Sequence, residues 1–137
     1  MYRFLKKYLF SLIVVVAIFY LSFFTPPQNP LEEISNIDKW VHTCMYGGFC
    51  SVVWFEYLRS HRSLCWRRIL CWGIVAPIAM SGAIELLQAY CTTTRSGEWM
   101  DLAANSLGVL LAAALGYFVL RPWVWRRSTV AQCSIEK

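Results

Sequence analysis

Hydrophobic positions in this chain fall into four long runs separated by short polar stretches. The first run, Tyr8 to Phe24, follows the basic residues Arg3, Lys6 and Lys7. It stops at Thr25-Pro26-Pro27-Gln28-Asn29-Pro30, because closely spaced prolines lack backbone donors and cannot continue a helix. The other runs cover about residues 39–58, 69–90 and 101–120. An apolar run near 20 residues matches the hydrocarbon thickness of a bilayer. The pattern therefore predicts an all-α polytopic membrane protein, with four transmembrane helices in a compact bundle and a single unit over residues 1–137. The first run is longer than the roughly 7–15 residues of a signal-peptide core and no A-x-A site follows it, so it is expected to stay as a span.

Local signals refine the pattern. Leu31 to Ile37 carries Glu32 and Glu33 among apolar neighbours and reads as a short surface helix, and Asn36 or Asp38 can cap the second span. Pro77 frees the carbonyl of Gly73 and predicts a kink in the third span. Cys91 to Met100 is a polar connection with turn character. Ala and Gly recur through the fourth span and suit close helix packing, while Trp123 and Trp125 stand where interfacial anchors belong.

Composition sharpens the class. At 58% hydrophobic and a mean hydropathy of +0.45, the chain is too apolar for an ordinary soluble domain. The net charge of +5 does not point to nucleic acid, because basic residues gather at the N-terminus, between the second and third runs, and after the fourth. By the positive-inside rule both termini and the 59–68 loop are cytoplasmic, which predicts a multi-pass membrane protein. The six cysteines form no C-x-x-C or zinc pattern. Cys44, Cys50 and Cys71 read as packing residues, Cys91 as a boundary residue, and no disulfide is expected.

Polar residues inside the runs are the candidates for chemistry. Ser81, Glu85 and Gln88 share one helical face at i, i+4 and i+7, and Asp101, Asn105 and Gly108 repeat that spacing in the next span. A charge near the bilayer centre costs roughly 2.5–3.5 kcal/mol, so such residues face the bundle interior or a wet cavity. Helix packing accounts for Ser81, Asn105 and Gly108, but poorly for Glu85 and Asp101. The second span adds Asp38, Lys39, His42 and Tyr46, and the connection adds Arg95. His42, Glu85 and Asn105 would lie roughly 4–8 Å below the outer boundary, one depth on three helices. Nothing comparable is expected on the cytoplasmic side.

Two uses are open. His42, Glu85 and Asp101 offer nitrogen and oxygen ligands for a divalent metal, without a tight motif to assign one. Alternatively Lys39 and Arg95 hold an anionic group while His42 and Glu85 act as acid and base or orient it.

The residues D-K-W-V-H-T-C-M-Y at 38–46, I-E-L-L-Q-A-Y at 84–90 and R-S-G-E-W-M-D-L-A-A-N-S-L-G at 95–108 resemble the VanZ-like family of small bacterial membrane proteins. The motifs fall within residues 38–118. The resemblance implies a four-span module, and the family's namesake lowers susceptibility to the glycopeptide antibiotic teicoplanin. Together these readings predict a cell-envelope protein whose outer-leaflet site binds or modifies an anionic lipid-linked or glycan-bearing molecule. His42, Glu85 and Asp101 are the catalytic candidates, and Asp38, Lys39, Tyr46, Gln88, Arg95 and Asn105 the ligand-binding ones. Membrane lipids and an anionic envelope precursor are the expected partners, no nucleic acid is expected, and the cofactor is open. The rival readings are a non-enzymatic scaffold whose polar cluster is a packing network, and ion or proton movement, weakened by the lack of charges deeper in the inner half.

Overall fold

A computed structural model describes residues 7–23, 37–91 and 98–126. Among them the chain forms four helices and no strand. Helix α1 is Leu9–Phe23 and α2 is Ile37–Ser60. Helix α3 runs through Trp66–Leu70, a π-helical turn at Cys71–Val75, and Ala76–Cys91. Helix α4 runs through Trp99–Leu115 and a second π-helical turn at Gly116–Leu120, ending at Arg126. The surface segment 31–37 lies outside the described residues up to Ile37, and so do Arg95 and most of the 91–100 connection.

The irregular turn in α3 lies just before Pro77. There the Ala76 N–H donates to the Cys71 carbonyl, one residue further back than in an α-helix. A wider turn is one way a helix absorbs a proline that supplies no donor. In α4 the second π turn starts at Gly116, which packs on the Trp54 indole so closely that a Cβ would overlap the ring.

Two helices are long and apolar enough to cross a membrane, Trp66–Tyr90 and Trp99–Arg126, of 25 and 28 residues. At 1.5 Å per residue both exceed a hydrocarbon core of about 30 Å. Helix α1 is a shorter apolar helix of 15 residues. Helix α2, with 24 residues, is long enough but carries Asp38, Lys39, Glu56 and Arg59.

Helices α2 and α4 form the tightest pair. A Cβ built on Gly108 would overlap the Thr43 carbonyl and come within 2.9 Å of the Gly47 nitrogen, so the two backbones touch there. Thr43 Oγ1 seals the crossing, donating within hydrogen-bond distance of Lys39 O at 2.9 Å and Ala104 O at 3.1 Å. One apolar cluster unites Ile18, Tyr46, Phe49, Ile84 and Val109 across all four helices. A second gathers Trp54, Tyr57, Leu58, Ile69 and Val124 toward the 59–68 loop.

Helix α1 is held at both ends by polar side chains. Near its start, the buried Glu56 carboxylate accepts from Phe10 N at 2.9 Å, from Ser11 N at 3.1 Å and from the Ser11 hydroxyl. Near its end, Gln88 Nε2 donates to the Ser22 carbonyl at 2.7 Å. Glu56 is thus a buried acid at the far end of α2 from Asp38, one that the sequence did not single out. An acid aimed at a helix N-terminus satisfies orphan amides and suits the dipole.

Polarity is turned inward. Ser81, Asn105, Asp101, Glu85, Gln88 and Glu56 are buried, whereas Trp72 and Phe118 are each 72% exposed and α1 shows Phe10, Val16 and Tyr20 on its outer face.

Candidate functional site

The polar cluster forms where the start of α2, the end of α3 and the start of α4 meet. Its order begins with Ser81, fully buried on α3. Asn105 Nδ2 donates to Ser81 Oγ at 2.7 Å, which turns the amide so that Oδ1 faces His42 Nδ1 at 3.1 Å. An amide oxygen only accepts, so Nδ1 carries the proton and donates. The Nε2 edge of the ring is then turned to the carboxylates of α2 and α4. It faces Asp101 Oδ2 at 3.7 Å and Asp38 Oδ1 at 3.8 Å, too far for a direct hydrogen bond.

Lys39 sits beside this nitrogen. Its ammonium meets Asp101 Oδ1 at 2.7 Å, Glu98 Oε2 at 2.8 Å and Asp38 Oδ2 at 3.8 Å. Asp101 is nearly buried in the first turn of α4, while Glu98, the residue at which that helix begins, is exposed. Glu98 also donates its backbone N–H to Glu85 Oε2 at 3.2 Å, tying the α3 acid to the mouth of the cluster.

Of the residues singled out in the sequence, the structure brings Asp38, Lys39, His42, Asp101 and Asn105 into one contact group, with Glu85 joined through Glu98. Tyr46 is fully buried one layer below, against Ser81. Gln88 reaches toward α1 instead. Glu98 and Thr43 belong to the site and were not singled out. Glu98 precedes Asp101 by one helical turn on the same face, which is the signal that marks it.

One oxygen or nitrogen each from Asp38, His42 and Asp101 lies within 4.8 Å of the others. Imidazole nitrogen and carboxylate oxygen suit a divalent ion such as zinc or manganese. Among the described residues the carboxylates of Asp38, Glu98 and Asp101 surround the Lys39 ammonium, and Glu85 meets the Glu98 amide. An anion enters by displacing Glu98 from Lys39 or by sharing a metal ion with the carboxylates.

Comparison with family models, curated proteins and solved structures finds no match to this chain. The VanZ-like resemblance thus rests on the motif residues themselves.

Proposed function

We propose that this chain is a multi-pass protein of the bacterial cytoplasmic membrane, with both termini cytoplasmic, whose outer-leaflet polar site binds or modifies a phosphate-bearing, lipid-linked or glycan-bearing envelope molecule. The membrane reading is supported by two helices of spanning length and by an exterior of large apolar side chains around a polar interior. The observation that carries the site reading is the orientation of His42. A chain of hydrogen bonds from Ser81 through Asn105 fixes the imidazole so that Nε2 is left facing Asp38 and Asp101. An imidazole nitrogen held between two carboxylates, with neither at hydrogen-bond distance, suits a metal ligand or a general base.

Lys39 is already engaged by Asp101 and Glu98, so the ligand is read as bound together with a divalent cation. His42, Asp38 and Asp101 would hold the ion. Lys39, released from Glu98, would meet the ligand's remaining charge. A cation so held would polarise a phosphoryl oxygen. The family resemblance is consistent with an envelope ligand and makes glycopeptide susceptibility a reasonable cellular readout.

A second reading applies to part of the cluster. Ser81, Asn105, Thr43 and Gly108 close the α2–α4 and α3–α4 contacts, and their role is helix packing and positioning. Native mass spectrometry of protein extracted with its lipids tests the proposal, comparing wild type with His42→Ala and Asp101→Asn at matched folded yield. Wild type should retain a phosphate-bearing lipid that is lost on chelation and in both variants. Retention unaffected by chelator and by both substitutions would remove the site assignment.

A further inference from the structure

A cavity of about 670 Å³ lies away from the His42 cluster, between the first half of α1, the second half of α2 and the first half of α3. That size falls within the roughly 300–1,000 Å³ of small-molecule sites. Its walls are apolar, including Leu12, Val15, Phe49, Val53 and Met80. Charge appears only at the end formed by the start of α1 and the 59–68 loop, where Lys7, His61 and Arg68 line it.

The polar end is organised to leave those side chains available. Tyr57 OH accepts from Cys65 N at 3.0 Å, fixing the turn between α2 and α3. His61 stacks on the Tyr57 ring at 4.5 Å and donates from Nδ1 to the Tyr57 carbonyl at 3.1 Å, leaving Nε2 for another partner. Glu56, the nearby acid, is engaged with the N-terminus of α1. No acid among the described residues lines the cavity or forms an ion pair with Lys7 or Arg68.

We infer that this crevice holds one acyl chain of an anionic glycerophospholipid from the cytoplasmic leaflet, with the phosphate at Lys7, His61 and Arg68. The inference rests on the membrane reading above but not on the ligand of the His42 site. From His61 to Phe49 the crevice follows α2 for about 18 Å at 1.5 Å per residue. That is close to the depth of one leaflet, half of a hydrocarbon core of about 30 Å. Basic residues on the cytoplasmic side attract anionic lipid. The chain's own remaining residues on that side are a poorer filling, since 1–6 and 127–137 carry Arg3, Lys6, Arg127 and Lys137 against the single acid Glu136. A second copy of the chain would present the same cations to one another.

The test uses the full chain in phosphatidylcholine vesicles containing a trace of phosphatidylglycerol with a photoreactive acyl chain, or the same label on phosphatidylcholine. After flotation and irradiation, cross-linked peptides are mapped. Labelling should concentrate on Leu12, Val15, Val53 and Met80 and favour phosphatidylglycerol. In Lys7→Gln/Arg68→Gln that preference should fall at least about fivefold. Ala76→Phe, which fills the crevice, should remove the labelling with the protein still floating. Flotation with even labelling of outward residues such as Phe118, or with no headgroup preference, would overturn this inference alone. Failure to float would overturn the membrane reading and this inference with it.

Discussion

At His42 the tautomer is decided by two residues of neighbouring helices. Ser81 orients Asn105, and Asn105 Oδ1 accepts from the Nδ1 N–H. Replacing Asn105 with Leu would leave the His42 ring N–H unmatched and Ser81 with Tyr46 alone, at about 1–3 kcal/mol for an unsatisfied group. Stability in a detergent titration should fall by that order, and ligand retention should fall with it. Gly108 offers a cleaner packing test. Gly108→Ala gains about 1 kcal/mol in helix propensity but forces the α2 backbone away, and overpacking of this kind costs about 1–3 kcal/mol. Net destabilisation is expected, whereas Gly48→Ala, with nothing within 4 Å of the added carbon, should be neutral or stabilising in the same titration. The stripes carrying Asn105 and Gly108 were legible from i, i+4, i+7 spacing alone. The partner of each was not, because spacing gives the face and not the rotation of the neighbouring helix.

Among the elements, the helices coincide with the four apolar runs. Helix α2 extends to Ile37 and Ser60 around the expected 39–58, and α4 continues past Leu120 to Arg126. That extension is stabilised by Arg121, whose guanidinium lies 5.1 Å from the Tyr117 ring and 4.9 Å from the Trp125 ring. An apolar pattern ends at the first arginine; a helix need not. Glu56 escaped notice for a related reason. A lone acid near the end of an apolar run reads as an interfacial residue, and only the approach of the α1 N-terminus gives it buried donors. Glu56→Ala should remove about 1.5–3 kcal/mol for each hydrogen bond to the charged group that is not replaced by water. Hydrogen exchange should then accelerate at the start of α1 while α3 and α4 remain protected. Unchanged exchange at Phe10 and Ser11 would show that Glu56 does not hold the helix.

At the scale of the molecule, the described residues expose many large apolar side chains while Ser81, Asn105, Asp101, Glu85, Gln88 and Glu56 are buried. The apolar exterior should keep the protein in the membrane fraction through alkaline carbonate extraction, which releases peripheral proteins. Appearance in the supernatant would contradict the proposed spans. The bundle has two polar ends of different design: a cluster of carboxylates around Lys39 and His42 at the starts of α2 and α4, and a basic rim around an apolar crevice near Lys7 and Arg68. Composition and positive-inside counting foretold the basic rim. The crevice was invisible in sequence because it is a space between three helices, and no residue pattern encodes a gap.

The central claim is that the His42 cluster is a ligand site built on a packing network. Residues held for function commonly cost stability, so their removal need not weaken the fold. The most direct measurement is the thermal melt of purified wild type and His42→Ala, each titrated with zinc or manganese. Wild type should gain stability as the ion is added and His42→Ala should not, although its metal-free melt lies within a few degrees of wild type. A metal-free His42→Ala that melts far lower, with no response to either ion in wild type, would show that the histidine serves helix packing and contradict the assignment.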